Sequence, residues 1–405
     1  MKKTLTQILC LTTISLATSV LITISNAQEP AQDWNDLLTQ TEGWLGADGI
    51  YTVDLAYDAK RARHGKAPTD ANAILFLFSD TFFGSTRQNG REYAEREMTN
   101  HSFALLSGDV PARDNMRFFY KTEEPRETTN DAQRYNLIPY RYWLQDAVRY
   151  GEEIWFTAIL VGKAWKPTRI DAVQVALDKD GLPDFTRITT RQDVRLSHRT
   201  RQEQVVFGAA ICDDADGNYI YIYGYVDRLN EGSRKDLVVA RAPRDTLTDY
   251  ETWRFYNGRR WVKQIEATLR PEATLVRNVS TEFSISRIPT GRYANHWALV
   301  YTPGTISEKV AMRVGQSPLG PFGKELVLYR APEPKDIRGV KCYNAKAHPA
   351  LSNDEEVILS YNVNRLGGMA NRPEEYRPRF LRLKWRDLEQ YDLLDAERDK
   401  PNQAQ

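Results

Sequence analysis

The chain has 405 residues, 41% of them apolar, with 55 Lys and Arg against 54 Asp and Glu. This apolar content excludes global disorder, and the near-neutral balance excludes a long-range attraction for nucleic acid or anionic lipid. Three cysteines make no disulfide framework, and His64, His101, His198, His296 and His348 are too scattered for metal-ligand spacing.

Lys2 and Lys3 are followed by a largely apolar run from Ile8 to Ile24 and then by Ser25-Asn26-Ala27, with small residues where a signal peptidase reads. Residues 1–27 are therefore expected to be a cleaved signal peptide. The mature protein is then periplasmic or secreted, without a membrane span, and keeps only Cys212 and Cys342. Residues 28–42 form a lead-in with one short helical stripe, Asp33 to Thr41, and residues 396–405 form a polar C-terminal tail.

Between them, over residues 43–395, β-rich runs recur in pairs joined by polar or glycine-containing turns. Asp48 to Leu55 pairs with Ala73 to Asp80, Trp143 to Tyr150 with Glu153 to Val161, and Val205 to Cys212 with Asn218 to Asp227. Glu282 to Ile288 pairs with Asn295 to Thr302, and Tyr343 to Leu351 with Glu356 to Asn362. Further strands follow, among them His101 to Leu106, Leu237 to Arg241, Lys309 to Val314 and Arg379 to Lys384. Five units of about four strands predict an all-β fold, a five-bladed β-propeller with four-stranded antiparallel blades. The rival is a pair of β-sandwiches, against which no linker rich in Pro, Ser or Gly divides the chain. The segment Cys212 to Gly217 mimics part of a calcium loop but reads better as a hairpin turn, because Asp-Gly suits strand twist.

In a propeller, inner-strand starts and second-strand ends converge on one mouth. Asp48, Asp146, Glu203, Glu282 and Asn344 stand at or near the former, and Asp80, Asp227, Thr302, Asn362 and Asn364 at the latter, with Asn100 on the same rim. Trp44, Tyr142, Trp143, Tyr225, Tyr301, Tyr343 and Tyr361 lie close in sequence. Converging carboxylates beside aromatic rings suit glycosidic cleavage, in which one carboxyl donates a proton to the leaving oxygen and another attacks carbon or activates water. Asp227 and Glu203 read more simply as strand-end residues. His348, some five residues into the last inner strand, is expected in the channel or a blade core.

Trp44-Leu45-Gly46-Ala47-Asp48-Gly49, followed by Leu77-Phe78-Ser79-Asp80-Thr81-Phe82-Phe83-Gly84, resembles the secreted five-bladed propellers of the DUF4185 type, some of which cleave arabinan. The resemblance extends to Met98-Thr99-Asn100, Tyr142 to Asp146 and Tyr343 to Pro349, and more distantly to the arabinanase, xylosidase and fructosidase propellers. It implies Asp48 as base or nucleophile, Asp146 as an orienting and tuning acid, and Glu282 as proton donor. Asp80, Asn100, Trp143, Tyr343, Asn344, His348 and Asn362 are the expected substrate contacts. Leu144-Gln145 stands where the family pattern has Pro-Gly, and Glu282 lacks its usual Gly-Pro or Cys-Pro neighbours.

The expected function is hydrolysis of a furanose- or pentose-containing, arabinan-like polysaccharide by a monomer. No cofactor is required, and an axial cation in the channel is left open. The alternatives are a non-catalytic sugar-binding propeller and a phosphorolytic enzyme, for which Arg87, Arg96, Arg141, Lys346 and Arg365 supply candidate cations.

Overall fold

The computed structural model describes residues 28–60, 71–120, 137–162, 167–192, 195–213, 217–232, 234–365, 370 and 372–395. The expected signal peptide, the polar tail, His64 and the centre of the Asp213–Gly217 turn lie outside the described residues.

All five expected hairpins form. Their strands are almost continuously apolar, as in Glu-Ile-Trp-Phe-Thr-Ala-Ile-Leu-Val over Glu153–Val161, because each sheet is covered on both faces. The first sheet runs in order Tyr51–Asp54, Ala73–Phe78, Ser102–Ser107 and Met116–Phe119. The second runs Tyr142–Arg149, Glu153–Val161, Pro167–Leu177 and Pro183–Arg191. The third is built on Glu203–Asp213, Tyr219–Arg228 and Arg234–Pro243 and grows to seven strands. The fourth runs Phe283–Arg287, Trp297–Tyr301, Lys309–Gly315 and Leu326–Arg330. The fifth takes Val340–Ala347, Glu356–Arg365 and Pro378–Lys384, and its fourth strand is Gln28–Pro30 from the other end of the chain.

The lead-in is thus part of the last sheet rather than a separate segment. Its helix, Gln32–Leu37, is shorter than the expected stripe. Trp34 on that helix sits between Phe76 of the first sheet and Phe380 of the fifth, at 6.5 and 6.4 Å between ring centroids. The first strand of each sheet packs against the first strand of the next, and the turn Pro349–Leu351 after the fifth packs back on the first. Apolar clusters fill the spaces between successive sheets, the one between the fifth and the first being formed by Ile358 and Phe380 against Ile74, Phe76 and Phe78. The result is a propeller-like all-β arrangement.

Two local features place the polar residues. A sixth, three-stranded sheet of Glu42–Ala47, Thr81–Thr86 and Tyr93–Thr99 continues the first sheet, and sequence reading did not anticipate it. The chain crosses between the two sheets three times, at Asp48, at Ser79-Asp80 and at Asn100-His101. The second feature is a bulge in three of the inner strands: Gln145-Asp146 opposite Thr157, Gly208-Ala209 between Phe207 and Ala210, and Asn344-Ala345 between Tyr343 and Lys346. Bulges re-aim side chains that strict alternation would send into the core. Cys212 and Cys342 are both buried and are not joined by a disulfide.

Candidate active site

Asp48 and Asp80 face each other where the chain leaves one sheet for the other. The Asp48 N–H donates to the Asp80 carbonyl (3.2 Å) and the Ser79 N–H to the Asp48 carbonyl (2.8 Å), so two backbone bonds fix the separation of the carboxyl groups. Gly49 allows this approach. Its φ is +59°, and a Cβ there would stand 2.4 Å from the Ser79 Oγ. At the third crossing the Asn100 amide donates to Asp80 Oδ1 at 3.0 Å, and the Trp143 side chain also hydrogen-bonds Asp80.

Glu282 immediately precedes the inner strand of the fourth sheet and is gripped by the bulge of the fifth. The Asn344 Nδ2 donates to Glu282 Oε1 at 2.9 Å, and the Lys346 ammonium is ion-paired to Oε2. Asn344 has φ +56°, a left-handed conformation that asparagine tolerates better than most residues, and the bulge puts Asn344 and Lys346 on one side. The preceding residue, Tyr343, donates its hydroxyl to Asp48 Oδ2 at 2.7 Å and receives the Asn364 amide at 3.3 Å. Adjacent residues of one bulge therefore hold the two carboxyl groups.

Burial raises the Asp48 carboxyl well above the ordinary carboxylate range, and the charges of Asp80 and Glu282 add to it, against hydrogen bonds from Tyr343 and Tyr376. Burial also lifts Asp80 to about 6, opposed by Asn100, Trp143 and Arg141. Glu282 is instead ion-paired to an ammonium whose side chain is 1% exposed and which lies 4.4 Å from the Tyr51 ring centroid. The cluster thus holds two carboxyls, Asp48 and Asp80, driven toward their neutral forms beside a third, Glu282, paired with a buried cation.

Of the expected contacts, Asp80, Asn100, Trp143, Tyr343 and Asn344 join this cluster with Asp48 and Glu282. Asp146 does not stand at a strand start. It occupies the bulge of the second inner strand, where its oxygens accept the Ala147 N–H (2.9 Å) and the Ile211 N–H (2.7 Å), and no hydrogen bond ties it to Asp48 or Glu282. Lys346 is close enough to act on its charge, and Asp146 lines the cavity formed by the later halves of the inner strands. His348 is deeper still, wedged between the Thr52 hydroxyl (3.2 Å) and the Ser360 hydroxyl (2.7 Å), and burial keeps it neutral with its pKa lowered to about 3. Asn362 is buried and donates to the Ala47 carbonyl at 3.3 Å, bracing the approach to Asp48 from behind.

Several aromatic residues that neighbour the site in sequence belong to the core. Trp44 packs on Phe78 and Phe118, Tyr142 donates to Asp171 at 2.5 Å, and Tyr361 donates to Glu333 at 3.0 Å. Asp227 and Glu203 pair with Lys235 (3.3 Å) and Arg228 at strand ends. One site residue went unforeseen. Tyr376, in the loop after the fifth sheet's second strand, places its hydroxyl 3.0 Å from the Asp80 carbonyl and also bonds the Asp48 carboxyl. No spacing in the sequence marks it.

Among the described residues no group of three or more His, Cys, Asp or Glu is arranged to hold a metal ion, and no helix is long and apolar enough to cross a membrane.

A family model described as a domain of unknown function, DUF5005, matches residues 31–386. The chain belongs to that family. The DUF5005 match spans the five sheets, whereas the sequence resemblance pointed to the DUF4185 type. A Bacteroides ovatus protein provisionally described as a hydrolase shares the fold, with a TM-score of 0.68, 19% identity, and coverage of 90% of this chain and 92% of the other. Weaker likenesses include a Bacillus subtilis levansucrase, with a TM-score of 0.44, 10% identity and 88% of each chain covered. Another is an exo-β-1,3-galactanase from Phanerochaete chrysosporium crystallised with β-1,3-galactotriose, with a TM-score of 0.41, 11% identity, 88% of this chain and 64% of the other. No curated protein matches.

Asp146 also makes a prediction about stability. Burial raises its carboxyl from 3.8 to about 7, against the Ile211 and Ala147 amides and the Lys346 charge. A carboxyl raised by folding favours the native state fully below its unfolded pKa, and that contribution is lost as pH climbs through the folded value. Wild-type stability is therefore expected to fall between about pH 4 and pH 8, with a slope from this group of up to ~1.4 kcal/mol per pH unit. Denaturant midpoints at pH 5 and pH 8 should separate more in wild type than in Asp146→Asn. Equal separations would show that Asp146 does not titrate in this window.

Proposed function

We propose that this DUF5005 member is a glycoside hydrolase on a five-bladed β-propeller, exported by its N-terminal segment and acting on a furanose- or pentose-containing, arabinan-like polysaccharide. The observation that carries the reading is the pairing of Asp48 and Glu282 across the Tyr343-Asn344 bulge in opposite electrostatic settings. Glycosidic cleavage needs one neutral and one ionised carboxyl flanking the scissile bond.

The roles we assign reverse those implied by the family resemblance. Asp48, buried beside two other carboxyl groups, is the proton donor. Glu282, ion-paired to Lys346, is the carboxylate that attacks carbon or activates water. Asp80, Asn100 and Trp143 orient the sugar, and Tyr376 and Tyr343 fix the donor. An acid that burial pushes toward its neutral form is suited to give a proton to the leaving-group oxygen, whereas Glu282 is ion-paired to Lys346.

Phosphorolysis is less well supported, because the candidate cations are engaged. Arg87 faces Glu92 at 3.5 Å, Arg96 stacks on Phe82 and Tyr93, Arg141 acts on Asp80, Arg365 is paired with Glu375, and Lys346 with Glu282. The test is release of reducing ends from a panel of plant and bacterial cell-wall polysaccharides, with Asp48→Asn and Glu282→Gln as controls. Release by wild type that both variants abolish supports hydrolysis at this cluster. Binding without release, unchanged by added phosphate, would leave a sugar-binding module instead.

A further inference from the structure

The channel has a second end. Opposite Asp48 and Glu282, the far ends of the inner strands surround a cavity of about 460 Å3, within the ~300–1,000 Å3 of small-molecule sites. We propose that this cavity binds a neutral polyhydroxylated molecule, a sugar of one or two rings, at a site separate from the carboxylate cluster. The proposal does not rest on the hydrolase reading: a mouth that cleaves nothing leaves it untouched.

Charge recognition is the first alternative, and the lining argues against it. Three acids, Asp54, Asp146 and Asp213, stand against three arginines, Arg149, Arg244 and Arg287. Arg244 pairs with Asp213 at 3.2 Å, and Arg149 is spent on the Gly151 and Leu55 carbonyls at 3.3 and 2.7 Å. Asp54 caps the Ala56 N–H at 2.9 Å, and both Asp146 oxygens accept backbone amides. With three residues of each sign the formal charges cancel, so the lining as a whole selects neither an anion nor a cation.

What remains is a set of single donors and acceptors of both kinds. Ser284 accepts the Ala347 N–H at 2.7 Å and keeps its own proton to donate. Ser286 lines the same wall, and Arg287 carries a buried Nε–H that meets no acceptor among the described residues. The Asp146 carboxyl, pushed to about 7 by burial, adds a group able to donate when protonated and accept when not. In the sheet order of the described residues, the inner strands of the first, second and fourth sheets are edge strands, so stretches of their backbone also face the channel. Tyr57 and Val148, both partly exposed, give the apolar surface on which the C–H face of a sugar ring rests. Alternating hydroxyl, amide and carbonyl partners around a half-apolar hollow match a polyol better than a hydrocarbon or an ion.

The test is ligand-observed NMR titration of the full protein with L-arabinose, D-xylose, D-galactose and their β-linked disaccharides. At least one is expected to bind wild type and Asp48→Asn alike. Ser286→Phe, which fills the hollow, should weaken that binding at least ~10-fold. Arg287→Leu, a change at a partly exposed position that loses a contact with Trp297 and a hydrogen bond to Asn295, should weaken it in the same direction, and an unchanged denaturant midpoint guards against misfolding of either variant. No binding by any of these sugars would overturn the proposal. So would binding that survives both cavity variants but is lost in Asp48→Asn, because that result places the sugar at the mouth.

Discussion

On a natural polysaccharide, Asp48→Asn is expected to lower kcat/KM by at least ~10³-fold, and far less on an aryl glycoside whose leaving group departs without a proton. Glu282→Gln should lose as much on both, because the group that attacks carbon or activates water is needed whatever leaves. The contrast follows from the electrostatics of the cluster. Burial among Asp80 and Glu282 favours the proton on Asp48, and the Lys346 ammonium is ion-paired to Glu282. Rates on the paired substrates for the two variants separate this assignment from the one the family resemblance implies. If Glu282→Gln is the variant rescued by a good leaving group, the roles are reversed and Asp48 is the base or nucleophile. Both substitutions keep size and shape, and denaturant midpoints of the two variants separate a loss of chemistry from a loss of folding.

Much of this arrangement was legible in the sequence because it rests on local signals. Alternation and turn residues found all five hairpins. The slots at strand starts and ends then brought Asp48, Asp80, Asn100, Glu282, Tyr343 and Asn344 together. The failures have a common physical origin in features that pattern does not encode. The Thr81–Thr99 hairpin was passed over because its outer strand reads Tyr-Ala-Glu-Arg-Glu-Met-Thr, charged enough to suit an edge and so to resemble a loop. Gln28–Pro30 is a three-residue strand containing proline, and its partner strand lies some 350 residues away. Asp146 was assigned to the mouth by analogy with Asp48, but it sits in a bulge, and bulges change the depth and direction of a side chain without changing composition. His348, expected in the channel or a blade core, is buried between Thr52 and Ser360. Tyr376 reached the site from a loop, which no periodicity describes. Lys346 was read as a phosphate-binding candidate, whereas the bulge at Asn344 turns it onto Glu282.

Removing that lysine is the second large expected effect. In Lys346→Met the Glu282 carboxylate, whose side chain is 16% exposed, keeps the Asn344 amide but loses its counter-charge in a poorly hydrated channel. Breaking a buried ion pair from one side typically costs about 3–5 kcal/mol, most of it the penalty of the charge left behind rather than the worth of the pair. Denaturant unfolding at pH 7 is therefore expected to show Lys346→Met destabilised by about 3 kcal/mol or more. The single variant Glu282→Gln strands the ammonium instead, but the Tyr51 ring 4.4 Å away and the nearby Asp146 charge still favour the cation, so its loss should be smaller. The decisive measurement is the double variant, Lys346→Met with Glu282→Gln, in which neither charge is stranded. If the pair is coupled as the geometry indicates, the double variant is more stable than Lys346→Met alone, and the two single effects fail to add by more than ~1 kcal/mol. Strict additivity would mean that the Lys346 and Glu282 side chains are not energetically coupled, and Lys346 would then lose its part in holding Glu282 in place.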